Sequence, residues 1–458
     1  MKKVLFITLA AILVLGVSLI GCGGETVPPQ APDSIKVGLA RDLDGPLAVF
    51  ECGYGGTVYR WFADKVNDDG GIYLSEYDEK VEIELVVRDF DVLTWDLADV
   101  TEALISTDEV DFVWGGPGTD CIFTQAPICN REAKVLITLE GGASSMIWEG
   151  DIDSWPYVWV SLSFSNWYQI PVLHDMLEDE VGANPTAYIT YIGEAGATHG
   201  IEYRDETLDV FGEANVIDGG FHSYWLPDHP GEPEAIISAA KAAYEAEPYD
   251  IFCAYTYPWN VAMITLALMA SDFNPPAILF GPGGNANDYF ANFGPYTGGV
   301  CSFIVADKYT STAMADLYED LAAAAEADWD NASLGCTPPE SYTSGWDALD
   351  YWGQPCYVAA LEMWAAAVEE AGSLDSGDVR DALAGFVDDP ADTVLGDCWF
   401  TVFGNGNGGG ILAYECHPGE IGQWQGQMPN IEYRVVGGND PTASFVYPNT
   451  DNWFWLLD

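Results

Sequence analysis

The groups able to do chemistry in this chain are five histidines, ten cysteines and a large excess of carboxylates, 72 Asp and Glu against 15 Lys and Arg. Their spacing argues against most catalysis. His174, His199, His222, His229 and His417 form no H-E-x-x-H pair, no two cysteines stand as C-x-x-C, and no G-x-S-x-G elbow presents a serine to a base. A secreted hydrolase is thus a remote alternative, and no metal or other cofactor is expected. The glycine and asparagine run 404–410 lacks the spaced acids of a calcium loop and the Lys-Ser/Thr of a phosphate loop, so it reads as a tight hairpin. What remains is binding. Two apolar runs, 112–114 and 135–139, end in Gly115-Gly116-Pro117-Gly118-Thr119 and Gly141-Gly142-Ala143-Ser144. As neighbouring parallel strands they would open two small-residue loops at one sheet edge, where ligands of open α/β sheets bind. The plain alternative is that each glycine run is only a turn.

The elements that would position these loops alternate. Residues 35–40 form an apolar strand, 57–66 a helix stopped by Asn67-Asp68-Asp69-Gly70-Gly71, and 81–87 a strand. Thr94 can cap a helix carrying Leu97, Val100 and Leu104. The pattern restarts with strands at 187–192, 216–217, 250–254, 277–280 and 300–306, and helices at 202–211, 233–246 and 260–269. Helices follow at 314–327, 351–371 and 378–384, and the stripe Tyr357, Leu361, Trp364 and Val368 reads as core. Strand and helix in alternation imply parallel sheets with right-handed crossovers. The echo of 110–115 in 249–254 points to two similar α/β lobes, and 458 residues suffice for both.

The first residues read as an export signal: Lys2-Lys3, an apolar run 4–20, then Gly21-Cys22. They resemble a bacterial lipobox, which implies cleavage of 1–21 and a lipid on Cys22, with 22–34 as tether; an uncleaved signal anchor is the alternative. Losing Lys2 and Lys3 would shift the net charge from −57 to −59, a surface that repels nucleic acid and anionic lipid. In an oxidising compartment disulfides are permitted, and Cys121 with Cys129, Cys336 with Cys356 and Cys398 with Cys416 are the local candidates.

Together the residues resemble the type I periplasmic binding proteins of the branched-chain amino acid family. The resemblance runs through IKVGL at 35–39, DGPLA at 44–48, NDDGGI at 67–72, VEIELVVRD at 81–89, VDFV at 110–113 and TQAPI at 124–128. It resumes in GPGG at 281–284, AAL at 359–361, VRDAL at 379–383 and TVLG at 393–396, so its order spans about 35–415. It implies two Rossmann-like lobes joined by a three-crossover hinge, lobe one at 35–157 with 307–395 and lobe two at 158–306 with 396–458. It implies no chemistry but capture of a small solute, delivered to a membrane permease of the ABC type; a sensing receptor of the same fold is the alternative.

By the same resemblance, Thr119 and Asp120 in one loop and Gly141, Gly142 and Ala143 in the other meet the ligand, with backbone amides for a carboxylate. Phe50 corresponds to a packing aromatic or to lobe-one core, and His199 to a lobe-two contact or a loop histidine. Tyr257 and Trp259 occupy the remaining lobe-two loop. Two positions depart from the family. Gly283 stands where an acid usually pairs with the ligand's ammonium, and Asp120 adds a carboxylate to a loop usually rich in serine. Either Asp120 takes over the ammonium, or the ligand is an amide, a urea-like compound or a small polar or aromatic solute.

Overall fold

A computed structural model describes residues 29–45, 47–140, 155–162, 165–193, 198–329, 337–402, 409–413, 416, 420–426, 430–439 and 441–448, with backbone alone at 49, 165–168 and 198. Strands β1 (Ile35–Arg41), β2 (Ile83–Asp89), β3 (Phe112–Trp114), β4 (Leu136–Thr138) and β5 (Val158–Val160) belong to one sheet. Strands β6 (Ala187–Ile192), β7 (Val216–His222), β8 (Ile251–Tyr255), β9 (Ile278–Gly281) and β10 (Val300–Ile304) belong to another. The chain then gives β11 (Phe400–Val402) and β12 (Gly410–Leu412) to the first sheet, and β13 (Glu420–Gln425) and β14 (Glu432–Gly437) to the second. The spatial orders are β11-β12-β5-β4-β3-β1-β2 and β14-β13-β10-β9-β8-β6-β7. Pairing is parallel except at β11-β12, β10-β13 and β13-β14. Central strands such as β3 and β8 are buried throughout, as parallel strands covered on both faces must be.

Among the described residues, ten helices of ten or more residues cover the sheets: α1 (Tyr54–Asp68), α2 (Leu97–Ser106), α3 (Thr119–Arg131), α4 (Ser165–Val181), α5 (Thr198–Phe211), α6 (Glu232–Ala246), α7 (Pro258–Met269), α8 (Thr312–Asp328), α9 (Gly353–Ala371) and α10 (Ser376–Gly385). Helix α9 packs against α1 and α10, and its Trp364 meets Trp114 of β3 edge-on at 5.2 Å, so its apolar stripe is core. Two helices were not expected. Thr119 and Asp120, expected in a loop, are the start of α3, and α4 contains Pro171, which breaks the apolar pattern that signals a helix.

The chain passes between sheets after β5, after β10 and after β12, which is the three-crossover arrangement. Two boundaries differ from expectation. Strand β5 pairs with β4 in the first sheet, and Gly410 and Ile411 of β12 pair with Trp159 and Val160 of β5, so 158–160, 400–402 and 410–412 belong to lobe one. Gly410 explains the second: a Cβ there would lie 2.8 Å from the Phe400 side chain and 2.9 Å from the Trp159 ring. The 404–410 hairpin lies mostly outside the described residues, but its flanks pair antiparallel, Val402 with Gly410.

The cysteine pairs are corrected. Cys121 and Cys129 are buried free thiols on α3, eight residues and so about 12 Å apart along the helix, beyond disulfide reach. Cys356 is also free, and Cys398 is a thiol in hydrogen-bond contact with Cys416 and not disulfide-bonded to it. Cys52, left out of the expected pairs, is disulfide-bonded. No helix among the described residues is long and apolar enough to cross a membrane; the segment around Cys22 lies outside them.

Candidate functional site

A cavity opens between the lobes at the carboxyl ends of the central strands, lined from lobe one by Phe50, Tyr54, Trp95, Thr119 and Asp120 and from lobe two by His199, Tyr224, Tyr257 and Trp259. Its volume is about 100 Å³. A cavity of about 150 Å³ accommodates a benzene ring, so the enclosed part of a ligand is small.

The lobe-one wall begins where β3 ends. Gly118 turns the chain into α3 with φ 88°, a conformation natural to glycine, and leaves Thr119 and Asp120 in the first helical turn. Gln125 pins this turn: its Oε1 accepts the Gly116 N–H at 2.8 Å and its Nε2 donates to Thr101 Oγ1 at 3.3 Å. The helix dipole favours a carboxylate at this end, and Asp120 supplies one. Burial nevertheless pushes its pKa up to about 6, against a hydrogen bond from the Tyr224 hydroxyl.

The lobe-two wall is aromatic. Strand β8 runs through Thr256 to Tyr257, the N-cap of α7, and Pro258 starts the helix where a missing N–H costs nothing. Tyr257 stacks on Trp259 at 4.7 Å, meets Tyr224 at 5.2 Å and takes the His199 ring edge-on at 4.6 Å. Trp259 Nε1 donates to the Tyr224 carbonyl at 3.0 Å. Asn260 locks the segment before α6: its Nδ2 donates to Ser223 O at 3.1 Å and Tyr224 O at 3.0 Å, and its Oδ1 accepts Leu226 N at 2.9 Å. His199 is buried, which drops its pKa to about 4, and it donates to the Thr256 backbone carbonyl, leaving Nε2 buried without a partner among the described residues. The lobes are bonded across the cleft through Tyr224 to Asp120 and through the hydroxyls of Tyr257 and Thr119.

A charged cluster backs the lobe-one wall, and its Glu140 is part of the cavity lining. Glu140, at the end of β4 with φ 60°, accepts from Arg41 Nη1 at 2.5 Å, Tyr59 Oη at 3.0 Å and the Gly55 N–H at 3.0 Å. Arg41 also pairs with Glu51, which Arg60 reaches at 3.1 Å, and Arg60 Nε extends the chain to Asp328 at 2.8 Å. On the opposite rim Asp350 accepts the N–H groups of Trp352 and Gly353, each at 2.9 Å, and bonds Asn285 of lobe two. Burial brings its pKa to about 6. The acidic trio Asp42, Asp44 and Asp89 is outside the cavity, and Asp42 and Asp89 accept backbone N–H groups of Gly45, Leu47 and Leu43.

Of the sequence candidates, Phe50, Thr119, Asp120, His199, Tyr257 and Trp259 come together on the cavity, whereas Gly141, Gly142 and Ala143 lie outside the described residues. Phe50 faces Tyr54 with ring centres 5.2 Å apart. Tyr224, Tyr54, Trp95, Glu140, Asp350 and Trp352 were not anticipated. Glu140 had a signal in the sequence, an acid directly before a glycine pair at a strand end. Gly283 has φ 114°, and a Cβ there would lie 2.6 Å from Pro258 Cα, so glycine is a requirement of the backbone at this departure.

The profile of a family described as Periplasmic binding protein matches residues 34–408. Among solved structures, a leucine binding protein from Thermotoga maritima superposes with TM-score 0.61 at 14% identity, covering 88% of this chain and 99% of its own. The branched-chain amino acid transporter substrate binding protein LivJ from Streptococcus pneumoniae, in complex with isoleucine, gives 0.61 at 16% identity over the same shares. A solute binding protein of an ABC transporter from R. palustris, in complex with 4-hydroxybenzoate, gives 0.64 at 14% identity over 90% of this chain and 99% of that one. No curated protein sequence matches this one.

Proposed function

This chain belongs to the periplasmic binding protein family, and on that premise we propose that it is an extracytoplasmic solute-binding lipoprotein of an ABC transporter. In this reading Cys22 carries the lipid, the lobes close over one small solute, and the loaded form hands it to a membrane permease. The observation that carries it is the cavity at the sheet edges of both lobes, bridged by Tyr224 with Asp120 and Tyr257 with Thr119. Phe50, Thr119, Asp120, His199, Tyr257 and Trp259 are its contacts. The similar structures hold isoleucine and 4-hydroxybenzoate, so amino acids, amides, ureas and small aromatic acids are the first classes to try. Catalysis has no support in the cavity: its neutral histidine has no nucleophilic Ser or Cys hydrogen-bonded to it among the described residues.

The test is a thermal-shift screen of the purified protein against these classes and small amines. A ligand at a hundred times its Kd stabilises by about 2.7 kcal/mol and raises the melting temperature. An unchanged melting temperature with every small solute would contradict the reading.

A further inference from the structure

Resting on the solute-binding reading and narrowing it, we propose that the ligand of this cleft is a small organic cation, an ammonium compound with apolar substituents and no carboxylate. The first ground is the distribution of cations. Apart from Lys2 and Lys3, every one of the 15 Lys and Arg residues falls among the described residues, and none lines the cavity. The segments outside the described part of the body, including 141–154, therefore bring no Lys or Arg to the site. Arg41, behind the wall, is held by Glu51 and Glu140. A carboxylate ligand would find no cationic side chain, and at the start of α3 the protein's own Asp120 already occupies the position that the helix dipole favours for an anion.

The second ground is what the walls offer. Asp120 is bonded by the Tyr224 hydroxyl and neutralised by no Lys or Arg, so its carboxylate keeps accepting capacity toward the cavity. From the opposite lobe, His199 uses one ring N–H on the Thr256 carbonyl; in the neutral ring the other nitrogen, Nε2, is then an acceptor, buried and without a partner among the described residues. A carboxylate acceptor on one wall, facing a histidine held uncharged on the other, suits a donor or a positive charge. Between them stand the faces and edges of Tyr224, Tyr257 and Trp259, within 4.7 to 5.7 Å of one another, and aromatic faces attract ammonium groups. A net charge of −57 draws cations toward the cleft and repels carboxylates.

The test is calorimetric titration of the purified protein at pH 7.5 with choline, benzylamine, leucine, 4-hydroxybenzoate and 3,3-dimethylbutan-1-ol, the uncharged isostere of choline. The expected result is that choline or benzylamine binds at least ten-fold more tightly than the other three, and that Asp120→Asn removes this advantage by weakening choline at least ten-fold more than the alcohol. Tighter binding of leucine or 4-hydroxybenzoate than of both amines overturns the cation proposal and leaves the solute-binding reading standing. Equal binding of choline and its isostere also overturns it. No binding of any of the five overturns it too, and together with a blank thermal-shift screen removes the solute-binding reading itself.

Discussion

Asp120 is where the chemistry of this protein concentrates, because a carboxylate on the wall of an aromatic cleft must be matched by its ligand or held at a cost. Its pKa of about 6 gives binding a pH signature. Choline keeps its charge at all pH, so its affinity should hold above pH 6 and fall about ten-fold per pH unit below, as Asp120 protonates. Titrations at pH 5 and 7.5 check this, and equal affinities would count against the Asp120 contact. The free protein should behave oppositely. Asp120, Asp350 at about 6 and Asp288 at about 7 are all raised chiefly by burial above their unfolded values. Their stabilising contribution is complete below the unfolded pKa and is lost as pH rises through 6 to 7, on the order of 1.4 kcal/mol for every ten-fold difference between the folded and unfolded acid constants. The melting temperature without ligand should accordingly be higher at pH 6.5 than at pH 8; below about pH 6.5, the unfolded histidine value, the buried His199 and His222, each lowered to near 4, pull the other way because the unfolded chain then takes up their protons first. Asp120 and Gly283 stood out in the sequence because both break a family pattern. Tyr224 did not, since hydrogen bonds from Asn260, 36 residues away, set its place, and no local periodicity reports them.

At the scale of elements, the site is made by two helix starts that face one another, α3 and α7, and by the segments pinned to them. Asn260→Ala would strand Leu226 N–H and the carbonyls of Ser223 and Tyr224, a loss of about 2 kcal/mol or more, and would loosen Tyr224. Denaturant unfolding and a ligand titration of this variant should show both effects. Gly283→Glu, which restores the family's acid, should destabilise the protein and weaken binding, because Cβ at φ 114° runs into Pro258. A variant that is stable and binds leucine more tightly would contradict this. The Arg41 cluster ties β1, α1 and the end of β4. Arg41→Met should cost about 3–5 kcal/mol by leaving Glu140 buried without a cation and Glu51 with Arg60 alone, and adding Glu140→Gln should recover part of it in the same unfolding measurement. Strands were legible from their apolar runs, as in β3 and β8. Helix α3 was not, because Gly-Pro-Gly at its entry and Pro127 inside it are the residues that normally announce a loop.

At the scale of the molecule, two mostly parallel sheets share a chain that crosses between them three times, and the cavity lies where their strand ends meet. Alternation of strands and helices made the two lobes visible in the sequence. It could not place the return of β11 and β12 to lobe one, because short antiparallel strands around a glycine loop look alike at the edge of either sheet, and only the close approach of Gly410 to Trp159 selects the partner. The central claim is that both lobes hold one solute between them. Calorimetry with the solute that raises the melting temperature most tests it most directly, on the unaltered protein, Asp120→Asn in lobe one and Tyr257→Ala in lobe two. One site per chain and at least ten-fold weaker binding for each variant are expected. A stoichiometry other than one, or an affinity that survives either substitution, would contradict it.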